Sequence, residues 1–318
     1  MIVIGYMGGL GNQMFEYALR VCIAEHFPKE KICADLSWFD FSRAHEGFVL
    51  DKYFHINIEK MNERLSRRIN PLRFYIQKLP LPIRIKRKLA LSILKKMEEV
   101  IKDKQRIGTI TDQDMSTIYI PYVFNLNSDK FNVWHFKGNW INPLYWQGYE
   151  EVVVNSFLFR EELLSREDIK LIEEMQSGES IAIHIRQGDY IGSYTYDLCN
   201  EKYYKKAINE LLQIIGEKEK VHIYIFSETA EINMKYIQNM KCEIVSHPDR
   251  SGVDLWLMSK CKHNIIANST FSYWSALLNQ NKQKVVIAPL YAYRNKKFFR
   301  ELPVPQNWIQ INNLESEN

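Results

Sequence analysis

The sequence predicts an α/β protein of two domains, each built on its own sheet. Three observations predict it. The 318 residues correspond to about two domains at ~150 residues each. The second half alternates short apolar runs with amphipathic stretches, the pattern of β-α repeats around a parallel sheet. The first 40 residues start the same alternation around a glycine-rich loop. A composition of 46% hydrophobic and 25% charged residues is ordinary for a folded chain.

In chain order, residues 2–7, IVIGYM, read as a first strand rather than a signal peptide, because no basic segment precedes them. Residues 8–27 give a glycine loop and a helix with Met14, Tyr17, Ala18, Val21 and Ala24 on one face. KICAD follows as a second strand ending at Asp35. Several prolines and one amphipathic helix are expected between residues 71 and 100. RIGTIT at 106–111 is a mediocre strand. NVWHF at 132–136 is a better one, followed by the aromatic stretch KGNWINPLYW. The domain boundary is expected near 165, giving domains 1–165 and 166–318.

In the second domain, the strands are SIAIHIR, VHIYIFS, KCEIVS, HNIIAN and KVVIAP. The helices are EKYYKKAINELLQIIG, TAEINMKYIQNM, GVDLWLMSKC and TFSYWSALLNQN. Strands so continuously apolar are expected to be buried on both faces of a parallel sheet.

Charge and cysteine usage narrow the class. Residues 60–106 carry 15 Lys/Arg against 4 Asp/Glu, net +11, within a chain of net +4. That block reads either as a solvated helical face or, through Lys86, Arg87, Lys95 and Lys96 beside Leu89, Leu91, Ile93 and Leu94, as a surface for anionic lipid. The aromatic residues lie elsewhere, so it does not read as a nucleic-acid surface. Five scattered cysteines with no CxxC spacing fit reduced thiols in a cytoplasm and offer no zinc framework. No apolar run reaches 18 residues, so no transmembrane helix is expected.

Ligands of open α/β sheets bind beyond the carboxyl ends of the strands. There the second half places His184, Arg186, Gly188 and Asp189, then Ser227 and Glu228, then Asn268, Ser269 and Thr270. Arg186 ends its strand with a planar fork suited to a phosphate; an ion pair with Asp189 is the competing reading. His184 reads as a hydrogen-bonded core residue. Ser269 or Asn268 would cap the next helix, whose N-terminus also suits phosphate.

GGLGNQ resembles a dinucleotide fingerprint, with Asp35 at the ribose-acid position, but Met14 occupies the third glycine position. Asp112-Gln113-Asp114 reads as solvent-facing turn acids rather than a metal site.

Three motifs together, MGGLGNQMFEYA, HIRQGDY and ANSTFSYWSALL, resemble the α-1,2-fucosyltransferases of glycosyltransferase family 11. The resemblance implies a GT-B-like fold, two Rossmann-like domains facing a cleft. It implies an N-terminal acceptor-side domain carrying the basic insertion and a C-terminal domain that binds GDP-β-L-fucose. No cofactor or metal is expected. The reaction implied is inverting transfer of L-fucose to the 2-hydroxyl of a terminal β-galactoside in a surface polysaccharide or oligosaccharide.

By the same resemblance Arg186 holds the diphosphate, and Asn268, Ser269 and Thr270 form a second donor-binding segment; His184 and Ser227 are further candidate donor-site residues. Glu228 is a candidate guanine contact; Gly8, Gly9, Gly11, Asn12 and Gln13 resemble the loop at the floor of the inter-domain cleft, with Gly9, Gly11 and Asn12 as candidate donor-binding residues. Asp189 is the chosen base, with Glu16 and Asp35 as alternatives. The family usually has arginine where Gln187 stands. The remaining readings are transfer to another linkage or acceptor, an NAD-dependent Rossmann enzyme, and a non-catalytic GDP-sugar or lipid-surface binding protein. A lipid-linked acceptor would place the chain at the inner face of a membrane.

Overall fold

The computed structural model describes residues 1–42, 46–89, 106–112, 117–121, 123–126, 130–186, 188–216, 220–227, 240–295 and 298–314; the side chains of Asp189 and Asn295 lie outside that description. The chain divides into Met1–Leu158 and Phe159–Asn318. The division precedes residue 165 for a packing reason. Phe159 stacks on Trp256 with ring centroids 4.7 Å apart. The Arg250 guanidinium donates to the Leu163 carbonyl at 3.3 Å and to Asp168 at 2.7 Å. Residues 159–168 therefore fold with the second unit.

The first unit runs β1 (Ile2–Gly5), α1 (Leu10–His26), β2 (Ile32–Asp35), α2 (Leu50–Tyr53), α3 (Glu63–Ile69), α4 (Pro71–Lys78), a helix α5 described over residues 83–89, β3 (Ile107–Thr111), β4 (Val133–Lys137) and α6 (Glu150–Asn155). Its four strands are parallel, in the order β2-β1-β4-β3. The proline-rich stretch holds two short helices, α4 and the start of α5. Pro71 occupies the first turn of α4, where a missing N–H costs nothing, and α4 stops at Lys78 ahead of Pro80. The amphipathic helix expected over residues 86–96 lies mostly outside the described residues. The aromatic stretch after β4 is core: Trp140, Tyr145 and Trp146 are buried, and Trp146 packs on Phe15 of α1.

The second unit runs α7 (Arg166–Ser177), β5 (Glu179–Ile185), α8 (Glu201–Ile215), β6 (Val221–Ser227), β7 (Lys241–Val245), α9 (Ser251–Met258), β8 (His263–Ile265), α10 (Thr270–Leu278), β9 (Val286–Pro289), β10 (Tyr291–Asn295), β11 (Phe298–Glu301) and β12 (Ile309–Ile311). Six strands form one parallel sheet in the order β12-β9-β8-β5-β6-β7. This is the doubly wound order of dinucleotide-binding folds, with β5 as first strand. The chain steps outward from β5 to β7, then returns to lay β8 on the other side of β5.

The two parallel sheets, each with helices in its own unit, are the two-unit α/β architecture expected. The helix expected over residues 229–240 lies outside the described residues. β7 is not doubly buried as expected: it is an edge strand and mostly exposed.

α8 fixes the central strands. Asn200 caps it by accepting from the Tyr203 amide, and Gly216 ends it at φ +75°. Between them Tyr203, Ala207, Ile208 and Leu211 pack on Ile181, Ile183 and Ile185, the alternate residues of β5. Leu211→Ala should cost about 2–5 kcal/mol; urea denaturation with an unchanged midpoint would contradict this packing.

Candidate functional site

The strand order brings two distant segments to one point. β5 and β8 are hydrogen-bonded neighbours, and Ile183 pairs with Ile265. Arg186 and Asn268 each lie three residues past that pair. Ser227 ends β6 on the other flank, paired with Ile185. Arg186, Ser227 and the Asn268–Thr270 segment thus share the carboxyl edge of three adjacent strands. The reversal between β5 and β8 is the switch point at which such sheets receive ligands. α10 starts there, capped by Ser269, whose hydroxyl accepts from the Phe271 amide at 3.4 Å. The His184 ring lies 5.6 Å from the Phe271 ring, joining the end of β5 to the first turn of α10.

An aromatic chain positions the guanidinium. Gly188, at φ +57°, opens a 3-10 turn over Gly188–Tyr190. That left-handed conformation favours glycine. The turn brings Tyr190 beneath Arg186, whose guanidinium carbon lies 5.0 Å from the ring centroid. Tyr190 stacks on Tyr196 at 5.0 Å. Asn268 holds that segment: its amide nitrogen donates to the Tyr196 carbonyl at 2.9 Å and to the Ala292 carbonyl at 2.8 Å. Both amide hydrogens are committed, so Asn268 ties three segments together at the switch point.

From α8, the Tyr203 hydroxyl donates to the Ile266 carbonyl at 2.6 Å, and the Tyr204 hydroxyl to the His184 carbonyl at 3.1 Å. These tyrosines were missed in the sequence, although the pair in EKYYKK was a signal. The Asp189 side chain, Gln187 and Glu228 lie outside the described residues, and with them the expected Arg186–Asp189 pair and guanine contact.

His184 departs from the expectation of a satisfied core histidine. It is buried, yet its Nδ1 has no hydrogen-bond partner among the described residues. Buried polar atoms in folded proteins are nearly always paired, so an orphan at the carboxyl edge of the sheet needs an explanation. Burial first, and then the Arg186 charge, push the imidazole down to about 3. It is therefore neutral at physiological pH.

The first unit places its own loops at the carboxyl edge of its sheet. Gln13 donates to the Gly8 and Gly47 carbonyls and accepts from the Val49 amide. Gly9 is the residue before α1, and Gly11 lies in its first turn. The Asn12 amide donates to Asn139 Oδ1 at 3.2 Å, bridging the glycine loop to the turn after β4. That turn is unusual: Gly138 has φ +143° and the buried Trp140 has φ +55°. A non-glycine residue at positive φ costs of order 1–3 kcal/mol.

Asp112 offsets that cost by accepting from the Asn139 amide at 3.1 Å and the Trp140 amide at 2.9 Å. Any Cβ at Gly138 would collide with it. Asp112 is therefore a buried loop anchor and not a solvent-facing turn acid; Asp114 lies outside the described residues. Among the described residues no cluster of three metal-ligating side chains occurs.

Neither alternative base is presented to solvent. Glu16 is fully buried, and both its oxygens receive the Met7 amide at 3.1 Å. Burial raises its carboxyl well above the ordinary range against the pull of that amide, and the Asp112 charge adds to the rise. Asp35 accepts from Asn70 at 2.7 Å and the Ser37 amide at 2.9 Å, with His135 Nε2 at 3.1 Å. Burial opposes its charge, but His135 and Ser37 outweigh burial and hold the carboxyl well below the usual range. A carboxylate so occupied is not offered to a ribose, and Met14 is buried in the core. The NAD-dependent reading loses both its acid and its third glycine.

Comparison with known proteins gives consistent results. The profile of "Glycosyl transferase family 11" matches residues 50–312, a span that holds the whole switch-point site and starts after the glycine loop. The chain is 27% identical over 311 residues to the O-antigen biosynthesis glycosyltransferase WbnK of Escherichia coli, covering 89% of this chain and 91% of that protein. It is 28% identical over 327 residues to an α-1,2-colitosyltransferase of Escherichia coli, covering 98% of each. Among solved structures, NodZ α-1,6-fucosyltransferase soaked with GDP-fucose is similar at a TM-score of 0.49 and 14% identity, over 87% of this chain and 91% of NodZ.

The depressed histidine sets a pH dependence. The unfolded imidazole takes up its proton near 6.5, the folded one only near 3. Between those values the unfolded state binds more protons. The contribution of His184 is therefore complete above about pH 6.5 and is lost as pH falls toward 3. His184→Gln should lose less stability than the parent chain between pH 7 and pH 5 in urea titrations. Equal losses would mean that the folded imidazole titrates normally.

Proposed function

Because the chain belongs to glycosyl transferase family 11, we propose that it is a fucosyltransferase using GDP-β-L-fucose. Its finer activity is inverting transfer to the 2-hydroxyl of a terminal β-galactoside in a surface polysaccharide or oligosaccharide. The observation that carries the donor assignment is the convergence at one switch point of the Arg186 fork, the α10 N-terminus and the buried His184 ring, whose Nδ1 has no hydrogen-bond partner among the described residues. Support for the linkage is the α-1,2 specificity named for one full-length relative, and support for a polysaccharide acceptor is the O-antigen role named for the other.

A second reading keeps the site and changes the sugar or the linkage. Colitose is L-fucose without its 3-hydroxyl, and the relative named for its transfer matches 98% of this chain. The diphosphate grip would be the same for either donor.

In the proposed reaction the acceptor oxygen attacks the anomeric carbon as the bond to the β-phosphate breaks, turning β into α. Negative charge grows on the departing diphosphate and positive charge on the sugar ring. Fixed donors that meet the growing negative charge speed the step. Arg186 supplies a planar, permanently charged fork, and the start of α10 supplies the positive end of a helix. Ser227 and Glu228 take the nucleoside side at the end of β6. Asn268 acts through placement, since its amide hydrogens are bound to carbonyls. Asp189 is proposed to accept the proton of the attacking hydroxyl.

The test is incubation with GDP-fucose or GDP-colitose and a panel of β-galactosides, followed by linkage analysis. An α-1,2-fucosyl product is expected. No consumption of either donor would refute the transferase reading. In the same assay Arg186→Lys should lower turnover roughly 10²–10³-fold, because lysine keeps the charge and loses the fork. Near-normal turnover of that variant would reject the role of Arg186, and full turnover of Asp189→Asn would remove Asp189 as the base.

A further inference from the structure

β7 ends at Val245, and the chain then turns through His247 and Arg250 into α9. A carboxylate from each of two helices closes on the His247 ring. Nδ1 lies 2.6 Å from Oδ1 of Asp254, in the first turn of α9. Nε2 lies 3.2 Å from Oδ1 of Asp168, in the first turn of α7. An imidazole offers a donor at both nitrogens only when it is protonated. In either neutral tautomer a lone pair would face one of the two carboxylates.

Both carboxylates are held in place from their other oxygen. Asp168 Oδ2 accepts from the Ser165 amide at 2.8 Å and from the Arg250 guanidinium at 2.7 Å. Asp254 Oδ2 accepts from the His247 amide at 3.0 Å. Neither acid is therefore free to turn away from the ring. Asp168 is buried, while the His247 side chain keeps 22% exposure, enough to exchange a proton with solvent.

The charges balance when the ring is protonated: Asp168 and Asp254 against Arg250 and the imidazolium. Removing the ring proton leaves one negative charge in excess beside a buried carboxylate, which is costly. Arg166 and Glu167 beside Asp168, and Asp249 beside Arg250, are exposed. The bond to Asp254 first, and the charges of Asp254 and Asp168, raise the imidazole above its ordinary range against burial and the Arg250 charge.

The helix start held in this way belongs to the entry of the second unit, which begins at Phe159. Arg250 also holds the Leu163 carbonyl, and Phe159 stacks on Trp256 of α9. We propose that His247 is a proton-operated latch: its imidazolium fastens the entry segment, residues 159–168, to the β7–α9 connection, and loss of its proton loosens that segment. The latch does not depend on the donor assignment. Its contribution to stability runs opposite to that of His184. A ring that binds its proton more tightly when folded contributes fully below about pH 6.5, and that contribution is lost as pH rises through the folded value.

The test uses the full chain in two measurements. In nitrogen-15 spectra of histidine-labelled protein, the signals missing from His247→Gln should show both ring nitrogens protonated at about pH 7.5, where an unperturbed histidine is neutral. In hydrogen exchange of the parent chain, corrected for the intrinsic rate, protection across residues 163–169 should fall roughly tenfold between about pH 6.5 and 9.5, the scale of one charge-assisted hydrogen bond, while α8 keeps its protection. His247→Gln should show the lower protection throughout. A ring singly protonated at pH 7.5 would overturn the latch, and so would unchanged protection across 163–169 in the parent. The exchange measurement needs only the parent chain, so it decides the question even where the variant folds poorly. Neither measurement involves GDP, so failure here is distinguishable from failure of the donor assignment.

Discussion

The donor site proposed for the second unit depends on β8 pairing with β5 rather than with β7. A chain that kept stepping outward would leave Asn268 and α10 at a far edge of the sheet. The reversal places them in register beside Arg186. Parallel pairing sets the register in the buried middle of the sheet, where alternate isoleucines of β5 meet α8. A one-residue slip would turn those side chains to the opposite face. Apolar packing well below the edge thereby decides where a polar fork stands above it. The aromatic chain from Arg186 through Tyr190 and Tyr196 to Asn268 then restricts a side chain that would otherwise lose rotamer freedom on meeting a ligand.

The first unit solves a related problem with carboxylates. Its loops at the sheet edge hold backbone that an ordinary chain avoids, at Gly138 and Trp140. Asp112 and Glu16 satisfy the amides that those loops leave unpaired, and Asp35 does the same beside β2. Each of these acids is buried, and each is occupied by backbone or neighbouring side chains. Their types are those of catalytic acids and bases, while their surroundings are those of structural anchors. This contrast limits what residue type alone says about chemistry.

Much of the fold was legible in the sequence because the central strands are uniformly apolar and the helices between them strongly periodic. What stayed hidden has identifiable causes. α7 rests on a capping box, Ser165 with Asp168, and on a mostly polar face, so its apolar signal is thin. β12 is three residues long, and the β10–β11 hairpin mixes cations with aromatics, so neither carries a clean period of two. Strand ends and motif resemblance point to Arg186 and the Asn268–Thr270 segment as candidates. The support around them is not legible there, because Asn268 bonds to residues 72 and 24 positions away. His184 is buried as a core residue would be, but its partners are set by the tertiary neighbourhood, and sequence shows only its type.

The central claim is that the end of β5 and the start of α10 grip one diphosphate together. Backbone hydrogen exchange with and without GDP tests it most directly, since it reports both segments at once without relying on turnover or on any acceptor. The account predicts that amides at 186–192 and at 268–272 slow together when GDP is added, and return together when it is removed. Slowing at only one of the two segments, or at neither while GDP demonstrably binds, would contradict it.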